Sequence, residues 1–249
     1  MNTKLTRKQL KQESEFVFPY HYLDILLEDK RLISDLRRLS LIKIIKNILN
    51  ISKQKKVLDA GCGDGRFCYE LKADYDIMGV DSSEKAISFA KAFNPEVKFF
   101  VQNLENLKLP ENYKFERILL IEVLEHLRPE TIPKVLENLY NVLTKSGMII
   151  ITVPSKNIKL TEKHHQHFSY DSLKKVIEKF FTIEKIIYHS KKSNLFIILR
   201  KLCEISYPLS NQLYFFKKIY EKFGKYYTNK IEIANSNNCE RLIAICTKK

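Results

Sequence analysis

The stretch Val57-Leu58-Asp59-Ala60-Gly61-Cys62-Gly63-Asp64-Gly65 decides how the chain folds. Val57 and Leu58 form an apolar run entered from Lys55-Lys56, which reads as a buried β-strand. Arg66-Phe67-Cys68-Tyr69-Glu70-Leu71 then carries helix-compatible spacing. Between the two, glycines at 61, 63 and 65 allow a tight turn and a close backbone approach to a ligand, because no Cβ stands in the way. The helix that follows offers unpaired N–H groups and a positive dipole end, which suits a carboxylate or a phosphate. Ile77-Met78-Gly79-Val80 is a second apolar strand, closing on Asp81, 20 residues past Gly61. Nucleotide-binding α/β units place an acid for the ribose hydroxyls at that point.

A dinucleotide fingerprint, Gly-x-Gly-x-x-Gly/Ala, would need a small residue where Arg66 stands, which argues against NAD. The pattern is Asp-x-Gly-x-Gly-x-Gly, headed by Asp59, and in this it resembles the first motif of the class I S-adenosylmethionine (SAM) methyltransferases. That resemblance covers about residues 50–190. It implies that Asp59, Gly61, Cys62 and Gly63 lie near the amino-acid end of SAM and that Asp81 holds the ribose, with Ser82 among the cofactor-binding residues. Asn103-Leu104 ends the third strand, Val97–Gln102, where the family places a polar side chain near the adenine amino group.

Composition sets the outer bounds. A chain of 249 residues with 45% hydrophobic and 29% charged content is large enough for one α/β domain with decoration. The N-terminus has no apolar h-region, and no uncharged apolar run is long enough to span a bilayer. Five cysteines lack metal-ligand spacing, and their odd number argues against a full disulfide framework. A reduced, cytoplasmic protein is the expectation. The net charge of +14 sits in the flanks: residues 51–155 carry 14 Lys/Arg against 15 Asp/Glu, while 156–249 carry 19 against 8. A basic flank fits an anionic substrate or surface. It equally fits a lysine-rich solvated exterior.

Along the chain, residues 1–28 read as a polar N-terminal arm ending in the aromatic cluster Phe16–Tyr22. Residues 29–249 read as one methyltransferase domain, with a SAM-binding core over about 50–155 and a helical insertion over about 195–230. Helical spacing predicts a leading helix from about Asp29 to Leu49. Ser82/Ser83 cap a helix to Phe93, Phe115–Ile121 is strand four, a helix ends near Leu143, and Met148–Pro154 is strand five. Ser169 caps a further helix, Phe181–Tyr188 is strand six, and Arg241–Thr247 is strand seven, placed antiparallel at the edge. The expected fold is a Rossmann-like, doubly wound seven-stranded α/β sheet with its last strand antiparallel.

The chemistry is expected at the end of strand four, because open α/β sheets bind ligands at the carboxyl ends of their strands. Glu122, Glu125 and His126 fall there at i, i+3 and i+4, and in a helical first turn they would share one face. Glu-x-x-Glu-His resembles the ubiquinone-pathway O-methyltransferases and the small-RNA 3′-terminal 2′-O-methyltransferases. The resemblance implies a divalent cation, Mg²⁺ or Mn²⁺, on Glu122, Glu125, His126 and a downstream histidine, His167, with His164 and His165 as further candidates. Without a metal, His126 is the first choice of general base, ahead of His167, and Glu122 completes the catalytic set.

The segment from Leu195 to Tyr227 mixes aromatic residues with lysines. It reads as a lid, a peripheral membrane contact or a nucleic-acid surface. The expected function is SAM-dependent O-methylation of a small-molecule, glycan or lipid-linked acceptor by in-line transfer. An RNA 2′-O-methyltransferase and a non-catalytic SAM-binding protein are the alternatives.

Overall fold

The computed structural model describes residues 7–14, 16–22, 36–49, 55–110, 113–201 and 214–249. Its centre is a seven-stranded sheet: β1 (Lys56–Ala60), β2 (Asp76–Asp81), β3 (Lys98–Val101), β4 (Phe115–Ile121), β5 (Leu143–Pro154), β6 (Phe181–Lys191) and β7 (Cys239–Lys248). The spatial order is β3-β2-β1-β4-β5-β7-β6. All neighbouring pairs from β3 to β5 are parallel, and β7 runs antiparallel to both β5 and β6.

Both faces of the sheet are covered, and the alternation of side chains along each strand shows how. Val57, Ile77, Leu119 and Ile150 point to one face. There they meet Leu41, Ile45 and Leu49 of α2 (Leu36–Leu49), Cys68 and Leu71 of α3 (Arg66–Leu71), and Ile87 and Ala90 of α4 (Glu84–Phe93). Their neighbours Leu58, Met78, Ile118, Leu120, Ile149 and Ile151 point to the other. That layer holds Ile132, Val135, Leu136 and Leu139 of α5 (Ile132–Val142) and Leu173 and Ile177 of α6 (Tyr170–Ile177). The caps follow the sequence signals. Ser83 Oγ accepts the Ala86 N–H at 3.1 Å, and Ser169 and Ser172 form a reciprocal capping box.

The position of the antiparallel strand differs from expectation. β7 lies inside the sheet, between β5 and β6, and β6 is the edge. Leu242 to Cys246 is a continuous buried run, so it is stable only with a ladder on each side. In β6, by contrast, Thr182, Glu184 and Lys185 are exposed, which suits an edge. Lys145-Ser146-Gly147 lies within β5, which starts at Leu143 rather than at Met148. There the pairing with β4 skips from Phe115–Leu143 to Arg117–Met148.

The leading helix is described from Leu36 onward, and residues 29–35 of its expected span lie outside the described residues. In the arm, α1 (Arg7–Glu13) is helical; residues 1–6 lie outside. The segment before β7 holds helical turns over 194–201 and α7 (Tyr214–Tyr226), which leads into a π turn, Tyr227–Ile231; residues 202–213 lie outside. Its buried Phe196, Phe223, Tyr227 and Ile231 form a small core with Leu36 of α2, while Lys222 and Lys225 stay exposed. Among the described residues no helix is long and apolar enough to cross a membrane.

Candidate active site

The glycine turn sits at the carboxyl end of β1, with φ of +80°, +55° and +81° at Gly61, Gly63 and Gly65. Gly61 and Cys62 donate their N–H groups to the Val80 carbonyl at 2.8 and 3.0 Å, which ties the turn to β2. A Cβ on Gly61 would stand 2.4 Å from Val123 Cγ2, so the chain leaving β4 lies directly over the turn. Asp81 accepts from Gly63 N on one carboxylate oxygen and from Ser83 N on the other, both at 2.9 Å. This leaves lone pairs on both oxygens. Asp59 is buried beneath the turn. Burial pushes it up to about 7, against a weak hydrogen bond from Cys68 Sγ at 3.6 Å.

The remaining expected cofactor residues fall around this turn. Cys62 is buried against β2, where a Cβ on Gly79 would come within 2.8 Å of its sulfur. Ser82 is exposed beside Asp81. Asn103 Oδ1 accepts from Glu105 N at 2.8 Å and so caps a short turn, Leu104–Asn106, while the Leu104 side chain enters the core.

The N-terminal segment packs on the same turn, an arrangement for which no local pattern gives a signal. The Phe16 ring lies 3.9 Å from where a Cβ on Gly63 would be. His21 Nδ1 meets Asp64 Oδ1 at 2.8 Å, and Tyr22 stacks on Phe93 with ring centroids 4.0 Å apart. The arm also reaches the opposite loop, where Lys8 Nζ donates to the His164 carbonyl at 2.5 Å and Lys11 pairs with Glu162.

Beyond β4 the triplet does not share a helical face. Glu122 adopts φ +55°, and Leu124–His126 is a single 3-10 turn, so the three side chains diverge. Glu122 turns to β7, where Arg241 Nε donates to Oε1 at 3.0 Å and Nη2 to Oε2 at 3.2 Å; Thr152 Oγ1 also donates to Oε1 at 3.0 Å. Burial would raise this carboxyl, but Arg241 outweighs it and holds Glu122 below the usual range. Glu125 is the converse. It is fully buried, neither carboxyl oxygen has a hydrogen-bond partner among the described residues, and burial followed by the Glu122 charge pushes it well above the usual range.

Among the described residues, Glu125, His126 and His164 bring their donor atoms within 4.8 Å of one another. The His126 and His164 rings meet edge to face, with centroids 4.7 Å apart. His165 N donates to the Glu125 carbonyl at 2.7 Å, and this bond clips the histidine loop onto the turn. Burial, followed by the neighbouring His126, lowers His164 to about 3, so it is neutral at physiological pH. Two members of the expected metal set therefore stand outside the cluster. Glu122 is engaged by Arg241, and His167 is held by His164 (Nδ1 to Nε2, 2.8 Å) and by the Ile158 carbonyl at 3.2 Å. One buried carboxyl without partners and two imidazoles fit a divalent cation such as Mn²⁺ or Fe²⁺ better than Mg²⁺, which prefers oxygen ligands.

This doubly wound sheet, with a glycine turn and an acid at adjacent strand ends, is a Rossmann-like α/β fold. Residues 57–147 match the family model described as a methyltransferase domain. The chain is similar to a carboxy-S-adenosyl-L-methionine synthase of Campylobacter hominis, 23% identical over 154 residues, which cover 55% of this chain and 64% of that protein. It is also similar to phosphoethanolamine N-methyltransferase 3 of Arabidopsis thaliana, 30% identical over 112 residues, covering 43% and 22%. The matched segments thus span less than two thirds of either relative's length. Among solved structures, the N-methyltransferase NodS of Bradyrhizobium japonicum with S-adenosylhomocysteine (SAH) shares the fold. Its TM-score is 0.65 at 12% identity, over 98% of this chain and 99% of that one. Residues 57–147 thus carry a methyltransferase domain, set in a fold shared with solved SAM-dependent methyltransferases.

Proposed function

We propose that this protein transfers the SAM methyl group in line to an acceptor hydroxyl bound beyond the carboxyl end of β4. The observation that carries this reading is the Glu125–His126–His164 group, whose first two members share a short loop with Val123, the residue lying over the glycine turn. Methyl transfer from a sulfonium needs alignment more than activation, and a hydroxyl acceptor must also lose a proton. In this reading Asp81 and the glycine turn hold the cofactor, and the His126 imidazole takes the proton. Glu122 is a positioning residue, fixed by Arg241, that sets the path of the loop. The acceptor is a small molecule, glycan or lipid-linked alcohol, and the basic flanks favour one with negative charge.

The unpartnered Glu125 carboxyl favours a second reading of the same site. A divalent cation would be held by Glu125, His126 and His164 and would polarise vicinal acceptor oxygens, those of an RNA 3′ end among them.

Calorimetric titration of SAH, with Mn²⁺ or with chelator, tests both readings. SAH is expected to bind in either buffer, with Asp81→Ala weakening it by about tenfold or more through the lost ribose contacts. No binding in either buffer would overturn the cofactor assignment. Mn²⁺ heat that disappears in Glu125→Gln would support the cation, and SAH release unchanged by chelator would remove it.

A further inference from the structure

Two histidine-loop contacts bear on which nitrogen of His164 is free. The Ile158 carbonyl can only accept, so the 3.2 Å contact to His167 Nδ1 requires a hydrogen on that nitrogen. A neutral His167 then has a bare Nε2, which lies 2.8 Å from His164 Nδ1 and must accept from it. The opposite polarity would need a doubly protonated His167. Its hydrogen-bond partners are a carbonyl and an imidazole, with no carboxylate between them to hold that polarity.

We propose that His167 is a positioning residue that locks His164 in the Nδ1–H tautomer and leaves the His164 Nε2 lone pair free for the Glu125–His126 site. The importance of that lone pair rests on the cation reading above, in which His164 is a ligand. The tautomer itself does not depend on that reading. Backbone contacts make the relay rigid: Phe168 N donates to the Pro154 carbonyl at 3.0 Å, Lys156 N to the Phe168 carbonyl at 2.9 Å, and His165 N to the Glu125 carbonyl. The loop is thereby fastened at both ends, to the end of β5 and to the turn after β4.

The test is long-range ¹H–¹⁵N correlation of the imidazoles in the full-length, ¹⁵N-histidine-labelled protein, with His164 assigned by its loss in His164→Gln. The expected wild-type spectrum shows His164 protonated at Nδ1 and bare at Nε2. His167→Gln should keep that pattern, because its amide donates to Ile158 and its carbonyl accepts from His164. His167→Leu should release His164 to the Nε2–H form common in solution and weaken Mn²⁺ binding or SAH release by about tenfold or more. A wild-type His164 protonated at Nε2 would overturn the proposal, and so would a folded His167→Leu with the wild-type pattern. Should His167→Leu fail to fold, the wild-type and Gln spectra still decide. The expected tautomer in a protein that releases no SAH would sink the methyltransferase reading and leave the relay standing.

Discussion

Glu122 and Arg241, 119 residues apart, meet in a two-pronged pair that joins the end of β4 to β7. The pair explains why Glu122 tolerates φ +55°, a region costly for a residue with a Cβ. The carboxylate is anchored so firmly that the backbone yields. Their side chains are 30% and 20% exposed, so the pair falls between the weak surface and strong interior cases. Arg241→Leu is expected to cost about 2 kcal/mol in urea denaturation. Arg241→Lys should recover only part of that loss, because an ammonium cannot bind both oxygens in a planar fork. Full recovery by lysine would show that charge alone matters.

Gly61 meets two separate obstacles to substitution. A methyl group there meets Val123 Cγ2 at 2.4 Å, and φ is +80°. Gly61→Ala should weaken SAH binding by about tenfold or more, from roughly 1–3 kcal/mol of strain released by moving the turn. Adding Val123→Ala removes the clash but not the backbone strain, so calorimetry should show partial recovery. Complete recovery would place the whole effect in the contact.

Asp59 gives a pH signature of stability. Burial raises its folded-state value to about 7, whereas an unfolded aspartate titrates near about 3.9. Over that window the folded state binds the extra proton, so this contribution is fully present below about pH 4 and is lost as pH rises through about 7. Asp59→Asn mimics the protonated form at similar size. It should flatten the slope and raise stability above about pH 7 by a few kcal/mol. Denaturant titrations on either side of the window check this, and an unchanged slope would assign the pH dependence to other groups.

Tyr22 ties the arm to the glycine turn. It is fully buried, its hydroxyl donates to the Asp64 carbonyl at 3.2 Å, and it accepts from Asn94 Nδ2 at 3.0 Å. Tyr22→Phe keeps the stacking on Phe93 and removes both hydrogen bonds, while Asn94 Nδ2 retains the Ala90 carbonyl at 3.0 Å. A loss of about 1–2 kcal/mol is expected, read as a drop of a few degrees in the melting temperature. No change would mean that water replaces the hydroxyl.

Much of the region around the glycine turn was legible because its rules are local. A strand, a turn that needs positive φ and a helix lie within a dozen residues, so Gly61, Gly63 and Gly65 declare their conformations directly. Ser83 and Ser169 declared their caps in the same way. The acceptor half was legible only as residue types. Glu122, Glu125 and His126 suggested a shared helical face, but one left-handed residue sent Glu122 to Arg241 and left Glu125 beside the histidines.

The sequence by itself determined the order of strands and helices, the glycine turn and the acid closing β2, because hydrophobic period and turn chemistry act over a few residues. Tertiary structure alone decided three things. β7 lies inside the sheet, Phe16 and Tyr22 pack on the glycine turn, and His164 rather than His167 joins Glu125 and His126. Each of these depends on which buried groups find partners across long sequence separations. That competition is settled by packing and hydrogen bonding in the folded core, and no short pattern encodes its outcome.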